Sequence, residues 1–352
     1  MGNIKTSGVR YLGSKAKIMP LICEVIEGLE KKEKTLIDVF TGTTRVAQAF
    51  KALNYQVVTS DLSWASESYS GAFICNDGDM SHLQHHLDKM NQLEPVNGWL
   101  TKNYCDVKGE GGSTIRVWKP KNGMRADAAR EYVEQQTSLS KTEKDYLVSC
   151  IIFALDKVDN TVGLQQAYLK EWKSTRSSED MVFKPLTNIP GPAGTHISGD
   201  ALSIQYPEAE VAYLDPPYTP ADYSTYYHIW DSIARWDKPT VGLKTNRRSD
   251  RIKSSDKYDT SMKSPWYSAR SALDATKSLV DRLPVRYCVF SYSDEGLIKY
   301  DEMISMCETY KAYKVYTKQH DRHVMSRIGA GGSDAENAQK KKNTEFVIVI
   351  EK

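Results

Sequence analysis

The segment TLIDVFTGTTRVAQAFKALNYQVVTSD, residues 35–61, decides the fold class of this 352-residue chain. Its first part, TLIDVF (35–40), is an apolar run that predicts a strand, and RVAQAFKAL (45–53) has the apolar spacing of a helix. A second strand is predicted over YQVVTSD (55–61). Because parallel neighbours need a crossover connection, strand, helix and strand in this order predict a βαβ unit of an α/β protein.

The same alternation returns in the second half of the chain. Strand patterns occupy 210–218, 285–293, 313–320 and 344–352, and helical patterns occupy 223–236 and 268–283. This arrangement predicts an α/β fold with a doubly wound, Rossmann-like sheet. The Gly-rich, polar segment 329–343, just before the last strand, is expected to be a surface loop.

Residues 62–194 interrupt this alternation. They contain three helical patterns, the last of which starts with Ser140 and Glu143 at the spacing of a capping box. Between them, residues 103–123 are rich in Gly and Lys, have no clear period and predict an irregular loop. We therefore expect an α/β domain formed by 1–61 and 195–352, with an inserted, mainly helical domain over 62–194.

Composition excludes several classes of protein. The chain has 47 Lys and Arg against 45 Asp and Glu, a net charge of +2, so a polyanionic partner would have to bind a local basic surface. No apolar run approaches the roughly 18 residues that span a bilayer. The six cysteines are dispersed and lie mostly in apolar segments, which predicts reduced thiols in the core of a cytoplasmic protein. No metal site is predicted, because His82 and His86 share a helical face without a third ligand.

Asp215-Pro216-Pro217-Tyr218 lies at the carboxyl end of the apolar strand pattern at 210–218. Ligands of open α/β sheets bind at the carboxyl ends of strands, and two prolines stiffen the backbone there. A carboxylate and a neighbouring carbonyl would then offer two fixed acceptors to a planar amino group, with the Tyr218 ring available for stacking. A proline-rich turn without a ligand is the alternative interpretation.

Two glycine-containing turns are further candidates. Residues 38–44, DVFTGTT, lie between the first strand and its helix, where backbone amides can bind polar ligand atoms. Only Gly42 of the dinucleotide fingerprint is present, although Asp61 ends the next strand and could accept ribose hydroxyls. The turn at 11–15, YLGSK, could hold a carboxylate or cap a helix.

These segments resemble the amino-methyltransferases that methylate adenine in DNA. In that family a K-[WY]-x-G-[GS]-K segment comes first, here Arg10 to Lys15; an FxGxG motif follows, here Phe40 to Thr44; an acid ends the second strand, here Asp61; and DPPY closes the order. The segments 152–172, 198–201, 227–228 and 290–297 also resemble adenine methylases of restriction–modification systems. The chain departs from the family at Thr44, which replaces the usual second glycine and could crowd the cofactor; we expect it to act as the helix N-cap.

The resemblance implies a site-specific, S-adenosylmethionine-dependent DNA adenine methyltransferase of prokaryotic or phage origin. Residues 1–61 and 195–352 would then form its catalytic domain, and the insertion at 62–194 would recognise the target. Asp215 and the Pro216 carbonyl would accept the N6 hydrogens of a flipped-out adenine, with Pro217 stiffening the loop and Tyr218 stacking on the base. The implied cofactor contacts are Tyr11, Gly13, Lys15, Asp38, Phe40, Thr41, Gly42, Asp61 and Asp200. Double-stranded DNA would be the partner, with a restriction endonuclease possible in the same system.

Two basic stretches are candidates for contacts with DNA phosphates. Residues 244–253 carry Lys244, Arg247, Arg248, Arg251 and Lys253 with one acid, and could equally be a solvated loop. The second stretch is in the insertion and comprises Lys108, Arg116, Lys119, Lys121 and Arg125. Methylation of RNA adenine or of cytosine N4, and a DNA-binding relative without turnover, are the alternative functions.

Overall fold

The computed structural model describes residues 4–11, 13, 15–109, 114–165, 167–172, 175–220, 222–242, 244–321 and 342–352. Its helices within these ranges are α1 (Met19–Glu27), α2 (Arg45–Ala52), α3 (Trp64–Phe73), α4 (Gln84–Gln92), α5 (Trp99–Tyr104), α6 (Pro120–Gln135), α7 (Lys141–Val158), α8 (Tyr223–Tyr226), α9 (His228–Arg235), α10 (Ala272–Arg282) and α11 (Tyr300–Cys307). Its strands are β1 (Thr35–Asp38), β2 (Gln56–Asp61), β3 (Cys105–Lys108), β4 (Thr114–Arg116), β5 (Thr195–Ser198), β6 (Ala209–Leu214), β7 (Val285–Ser293), β8 (Ala312–Asp321) and β9 (Lys342–Glu351).

Seven of these strands belong to one mixed, mainly parallel sheet, and β3 and β4 form a separate antiparallel pair. With helices between the strands, this architecture confirms the predicted α/β class with a Rossmann-like sheet. The chain divides into two compact units. The first unit comprises Met1–Lys17, Thr41–Ile204 and Asp222–Lys263, and the second comprises Ile18–Phe40, Gln205–Ala221 and Ser264–Lys352.

The second unit is built on five strands in the order β1-β6-β7-β9-β8. β6 pairs in parallel with β1 and with β7, whereas β9 is antiparallel to both of its neighbours. Val211 and Ala212 of β6 and Cys288 and Val289 of β7 are fully buried, so both faces of these strands lie in the core. This explains their continuous apolar sequences. β8 lies at the edge of the described sheet, where residues 312–319 are exposed or half-buried.

The first unit contains the parallel pair β2 and β5 and most of the helices. Helix α3 packs against α7, where the buried Ser149 hydroxyl donates a hydrogen bond to the Ser68 carbonyl at 3.0 Å. The predicted capping box is present at the start of α7, with Glu143 accepting from the Ser140 amide at 2.7 Å. Residues 62–194 are mainly helical, as expected, while the boundaries of an inserted domain stay a prediction.

Local predictions were wrong in two places. The irregular loop predicted at 103–123 contains the β3–β4 hairpin and the start of α6. Its strands have four and three residues, too few for a period to be recognised. The single helix predicted at 223–236 is divided at Tyr227, whose φ of −115° and ψ of 18° end α8. Most of the loop predicted at 329–343 lies outside the described residues, and β9 already begins at Lys342.

The predicted placement of the cysteines is largely confirmed. All six are free, and five of them are buried, with Cys75 half-buried. None of the helices in the described part of the chain is long and apolar enough to cross a membrane.

Candidate functional site

The Asp215–Tyr218 segment begins where β6 ends, in the second unit. The Tyr218 carbonyl accepts a hydrogen bond from the Leu297 amide at 3.0 Å, and its ring meets Tyr292 edge-on with centroids 6.0 Å apart. The Tyr292 hydroxyl in turn accepts from the Ile298 amide at 2.9 Å. The loop after β7 therefore fixes the backbone of Tyr218 and β7 itself contacts its ring, while Asp215 is half-buried.

Asp38 and Phe40 belong to the same unit. Asp38 is 1% exposed at the end of β1, in register with Tyr213 of β6, and Phe40 packs edge-on against Trp266 at 4.9 Å. Burial raises the pKa of Tyr213, and the negative charges of Asp215 and Asp38 add to this rise. The carboxyl ends of β1 and β6 thus carry negative charge around a neutral phenol. Such a setting suits a ligand that donates hydrogen bonds or carries positive charge.

The turn at Thr41–Thr44 is held against the end of β2 in the first unit. The Thr41 amide donates to the Ser60 carbonyl at 3.1 Å, and the Gly42 amide donates to Asp61 Oδ2 at 2.8 Å. Gly42 has φ of +50°, a backbone conformation that favours glycine. Its Cα also lies beside the Tyr11 ring, because a Cβ there would come within 3.6 Å of that ring.

Asp61 has two backbone partners. Oδ2 accepts from Gly42, as described, and Oδ1 accepts from the Ser63 amide at 2.9 Å. Burial raises the pKa of Asp61 to about 6, while these two hydrogen bonds act in the opposite direction. The Ser66 side chain also hydrogen-bonds this carboxylate and lowers its pKa. Beyond these three partners, the two oxygens retain acceptor capacity for a further hydroxyl donor.

The structure brings Asp200 and Tyr11 to the same unit as Asp61. The Gly199 amide donates to the Asp61 carbonyl at 3.0 Å, and Asp200 Oδ1 accepts from the Leu202 amide at 3.2 Å. Tyr11 stacks on Tyr227 with ring centroids 4.3 Å apart. Beyond Tyr11, Gly13 has φ of +82°, and the buried Lys15 starts a 3-10 turn.

The basic segment 244–253 is divided between exposed and buried cations. Lys244 and Lys253 are exposed and Arg247 is half-buried, whereas Arg248 and Arg251 are 1% and 2% exposed. Arg248 pairs with Asp237 at 2.7 Å and with Asp250 at 2.8 Å. Its guanidinium lies 4.9 Å from the centroid of Trp64, and that of Arg251 lies 5.4 Å from it. Arg248 and Arg251 therefore pack inside the first unit. From the sequence they were predicted to contact DNA phosphates.

The second basic stretch is also largely engaged within the protein. Arg116 pairs with Asp106 at 2.9 Å, Lys121 contacts Asp180, and Lys119 lies 5.6 Å from the ring of Trp172. Lys108, at the end of β3, is exposed. In the described ranges, no group of three His, Cys, Asp or Glu side chains is arranged to bind a metal ion.

Comparison with known proteins identifies the family. The model of the D12 class N6 adenine-specific DNA methyltransferases matches residues 11–306. The chain belongs to this family. The resemblance seen in the sequence is thereby confirmed, and so is the predicted activity of a DNA adenine methyltransferase.

Several relatives cover nearly all of this methyltransferase. The type II methyltransferase M.NlaIII of Neisseria lactamica is 26% identical, over 98% of this chain and 99% of its own length. The modification methylase LlaI of Lactococcus lactis is 25% identical over 98% of this chain, and M.FokI of Planomicrobium okeanokoites is 28% identical over 90% of it. The chain spans about half the length of these last two, 55% and 50%.

The expectation that Thr44 caps helix α2 of the methyltransferase is only partly correct. Thr44 is the N-cap residue of α2, as predicted, but its side chain makes no capping hydrogen bond. A capping side chain needs an extended backbone, whereas Thr44 has φ of +60° and ψ of 15°. The turn therefore requires left-handed backbone at both 42 and 44, which accounts physically for a motif with two glycines. Thr44 adopts that conformation despite its branched Cβ.

Sequence analysis missed two buried polar residues of the first unit. Gln48 lies on the apolar face of α2 and is completely buried, and Asp231 is 2% exposed between Trp230 and Ile233 in α9. Asp231 accepts hydrogen bonds from the Ser63 hydroxyl at 2.6 Å and the Ala65 amide at 3.1 Å, which anchors the start of α3. A polar residue at a core position of an apolar helix was the available signal.

We expect Thr44→Gly to have a free energy of unfolding about 1 kcal/mol higher than Thr44→Ala, because both remove the hydroxyl but only glycine relieves the left-handed backbone. Urea unfolding of the two variants measures this difference. The neighbouring Thr43 has no positive φ and provides the control. Thr43→Gly should be no more stable than Thr43→Ala. Equal stability of Thr44→Gly and Thr44→Ala would contradict the inference that the backbone is strained at residue 44.

Proposed function

We propose that the chain methylates N6 of adenine in duplex DNA with S-adenosylmethionine as donor, at a target site formed by Asp215, Pro216, Pro217 and Tyr218. The observation that carries this assignment is the position of these residues at the end of β6, with Tyr218 held by Leu297 and Tyr292. Membership of the family supplies the reaction. The residue roles are our assignment.

Asp215 and the Pro216 carbonyl are proposed to accept the two N6 hydrogens of the target adenine. Hydrogen bonds to both acceptors would reduce delocalisation of the nitrogen lone pair into the ring and direct it towards the methyl group. Tyr218 would stack on the base, which must leave the duplex to reach the site. Alignment and charge placement are then the main contributions of these residues.

The cofactor supplies an electrophilic methyl group on a sulfonium centre. Asp61 suits its ribose, because the carboxylate keeps acceptor capacity beyond the Gly42 and Ser63 amides. We assign further contacts to Tyr11, Gly13, Lys15, Thr41, Gly42 and Asp200 in the first unit and to Asp38 and Phe40 in the second. Among these, Lys15 would meet the carboxylate of the methionine end.

The names of the relatives support a role in restriction–modification. M.NlaIII and M.FokI are type II methyltransferases, and LlaI is a modification methylase. We propose that this protein protects the DNA of its host or phage from a cognate restriction endonuclease, which would be its functional partner. Residues 62–194 are proposed as the region that recognises the target sequence.

Asp215→Ala should lower methyl transfer to duplex DNA at least about a hundredfold, because it removes one of the two oriented acceptors. Transfer of labelled methyl groups, with identification of N6-methyladenine in the product, measures the effect. Binding of S-adenosylhomocysteine should persist. The exposed Asp281, which pairs with Lys277, provides a control, and Asp281→Ala should transfer normally. Normal transfer by Asp215→Ala would reject this target site.

The affinity for S-adenosylmethionine should fall as the pH falls through about 6. The pKa of Asp61 is raised to about 6 in the free protein, and the protonated acid is a poorer acceptor for ribose hydroxyls than the carboxylate. The dissociation constant should therefore be constant above this pH and rise up to about tenfold for each pH unit below it. Calorimetry between pH 5 and 8 tests this. Asp61→Asn should bind weakly with no such pH dependence, and the same profile in native protein and variant would exclude Asp61.

Simultaneous replacement of Lys244, Arg247 and Lys253 by Ala should weaken DNA binding and reduce the slope of log affinity against log salt by roughly 2 to 3, about 0.9 for each phosphate that is no longer neutralised. Arg248→Ala serves as the contrast. It would leave Asp237 and Asp250 without their buried partner and should mainly lower stability. Fluorescence anisotropy across a salt series measures the DNA affinity and its salt dependence for both variants. An unaltered slope in the triple variant would show that DNA binds to a different surface.

A further inference from the structure

Residues 4–11 form an N-terminal strap that has no regular secondary structure and leads into Gly13 and Lys15. Side chains of the first unit hold it at several points. Arg45 of α2 donates to the Thr6 carbonyl at 3.1 Å and to the Gly8 carbonyl at 3.0 Å. Strap residue Arg10 pairs with Asp156 of α7 at 3.2 Å and also contacts Asp159.

Gln48 makes the most complete of these contacts. Its Oε1 accepts from the Ser7 amide at 2.7 Å, and its Nε2 donates to the Ser7 carbonyl at 2.8 Å. The side-chain amide thus pairs with one residue of the strap as a neighbouring strand would. Because Gln48 is 0% exposed, water does not compete for these bonds, and losing them would leave buried polar groups unsatisfied.

Thr44 completes the hydrogen bonding of the same amide. Gln48 Nε2 donates to Thr44 Oγ1 at 2.9 Å, so its two hydrogens have the Ser7 carbonyl and the Thr44 hydroxyl as acceptors. With glycine at 44, the remaining nearby acceptor is the Thr43 carbonyl, at 3.5 Å. The residue that departs from the family motif therefore orients the residue that holds the strap.

We infer that Gln48, oriented by Thr44, is a positioning residue for the cofactor site. Ser7 lies four residues before Tyr11, whose ring packs beside Gly42, and Gly42 binds Asp61. Gln48 thereby connects the strap to the same turn that Tyr11 contacts, and it fixes where Tyr11 and Lys15 stand relative to that turn. This inference rests on the proposed use of Tyr11, Lys15 and Asp61 in cofactor binding.

The test compares Gln48→Met, which keeps the volume of the side chain and removes its hydrogen bonds, with Ser149→Ala. The control also loses one buried hydrogen bond of the first unit, but where α3 packs on α7. Calorimetry with S-adenosylhomocysteine should give a dissociation constant about tenfold higher for Gln48→Met and unchanged for Ser149→Ala. Amide hydrogen exchange of residues 5–11 should rise in Gln48→Met alone, and DNA affinity should stay constant.

A second pair of variants keeps the test decisive if Gln48→Met does not fold. Thr44→Val preserves the shape at 44 and removes the hydroxyl, whereas Thr44→Ser keeps it. The valine variant should bind S-adenosylhomocysteine several times more weakly than the serine variant. Equal affinity and equal exchange in this pair would overturn the role of Thr44, and native affinity in Gln48→Met would overturn that of Gln48.

Failure of the proposed function has a different signature. A native protein that binds neither S-adenosylmethionine nor S-adenosylhomocysteine would overturn the cofactor assignment and, with it, the positioning role. A native protein that binds either compound, with a Gln48→Met variant of equal affinity, would overturn the positioning role alone.

Discussion

The hydrogen bond from the Gly42 amide to the Asp61 carboxylate is the interaction on which the candidate cofactor site depends. At 2.8 Å it joins the turn before α2 to the end of β2, two points that are 19 residues apart in the chain. It requires left-handed backbone at Gly42, and the Tyr11 ring packs beside this residue. Removing the Asp61 side chain would therefore release the turn at Gly42 and would also remove a hydrogen-bond acceptor for the cofactor. A conservative substitution is needed to separate these two effects.

The chain stabilises this turn by unusual means. Left-handed backbone at a β-branched residue opposes folding, and Thr44 is completely buried in that conformation. The Gln48 amide provides a compensating hydrogen bond and at the same time secures Ser7. Strain and its compensation thus occur within one turn of helix. A sequence motif describes the strained residue, but the compensation is visible only in three dimensions.

The sequence predicted what depends on local patterns. The βαβ segment at 35–61, the capping box at Ser140 and the strand before Asp215 were recognised because period and spacing are local properties. The burial of Arg248 and Arg251 was not, because their partners Trp64 and Asp237 lie elsewhere in the chain. The five basic residues of 244–253 predicted a basic surface. In the structure, however, two of these five side chains are buried by ion pairs and by the indole ring of Trp64. Burial and these arginines also lower the pKa of His228 to about 3, so that part of the first unit accommodates a neutral imidazole beside cations.

The edge of the second unit has a consequence for solubility. β8 is ten residues long, and among the described strands it pairs with β9 alone, so it forms an edge of the described sheet. Long edge strands can promote addition of strands from other molecules. Lys314 and Lys318 lie along this strand, and Lys311 precedes it. Adding another strand would desolvate the exposed Lys314, and charged side chains on an edge strand discourage such addition independently of catalysis.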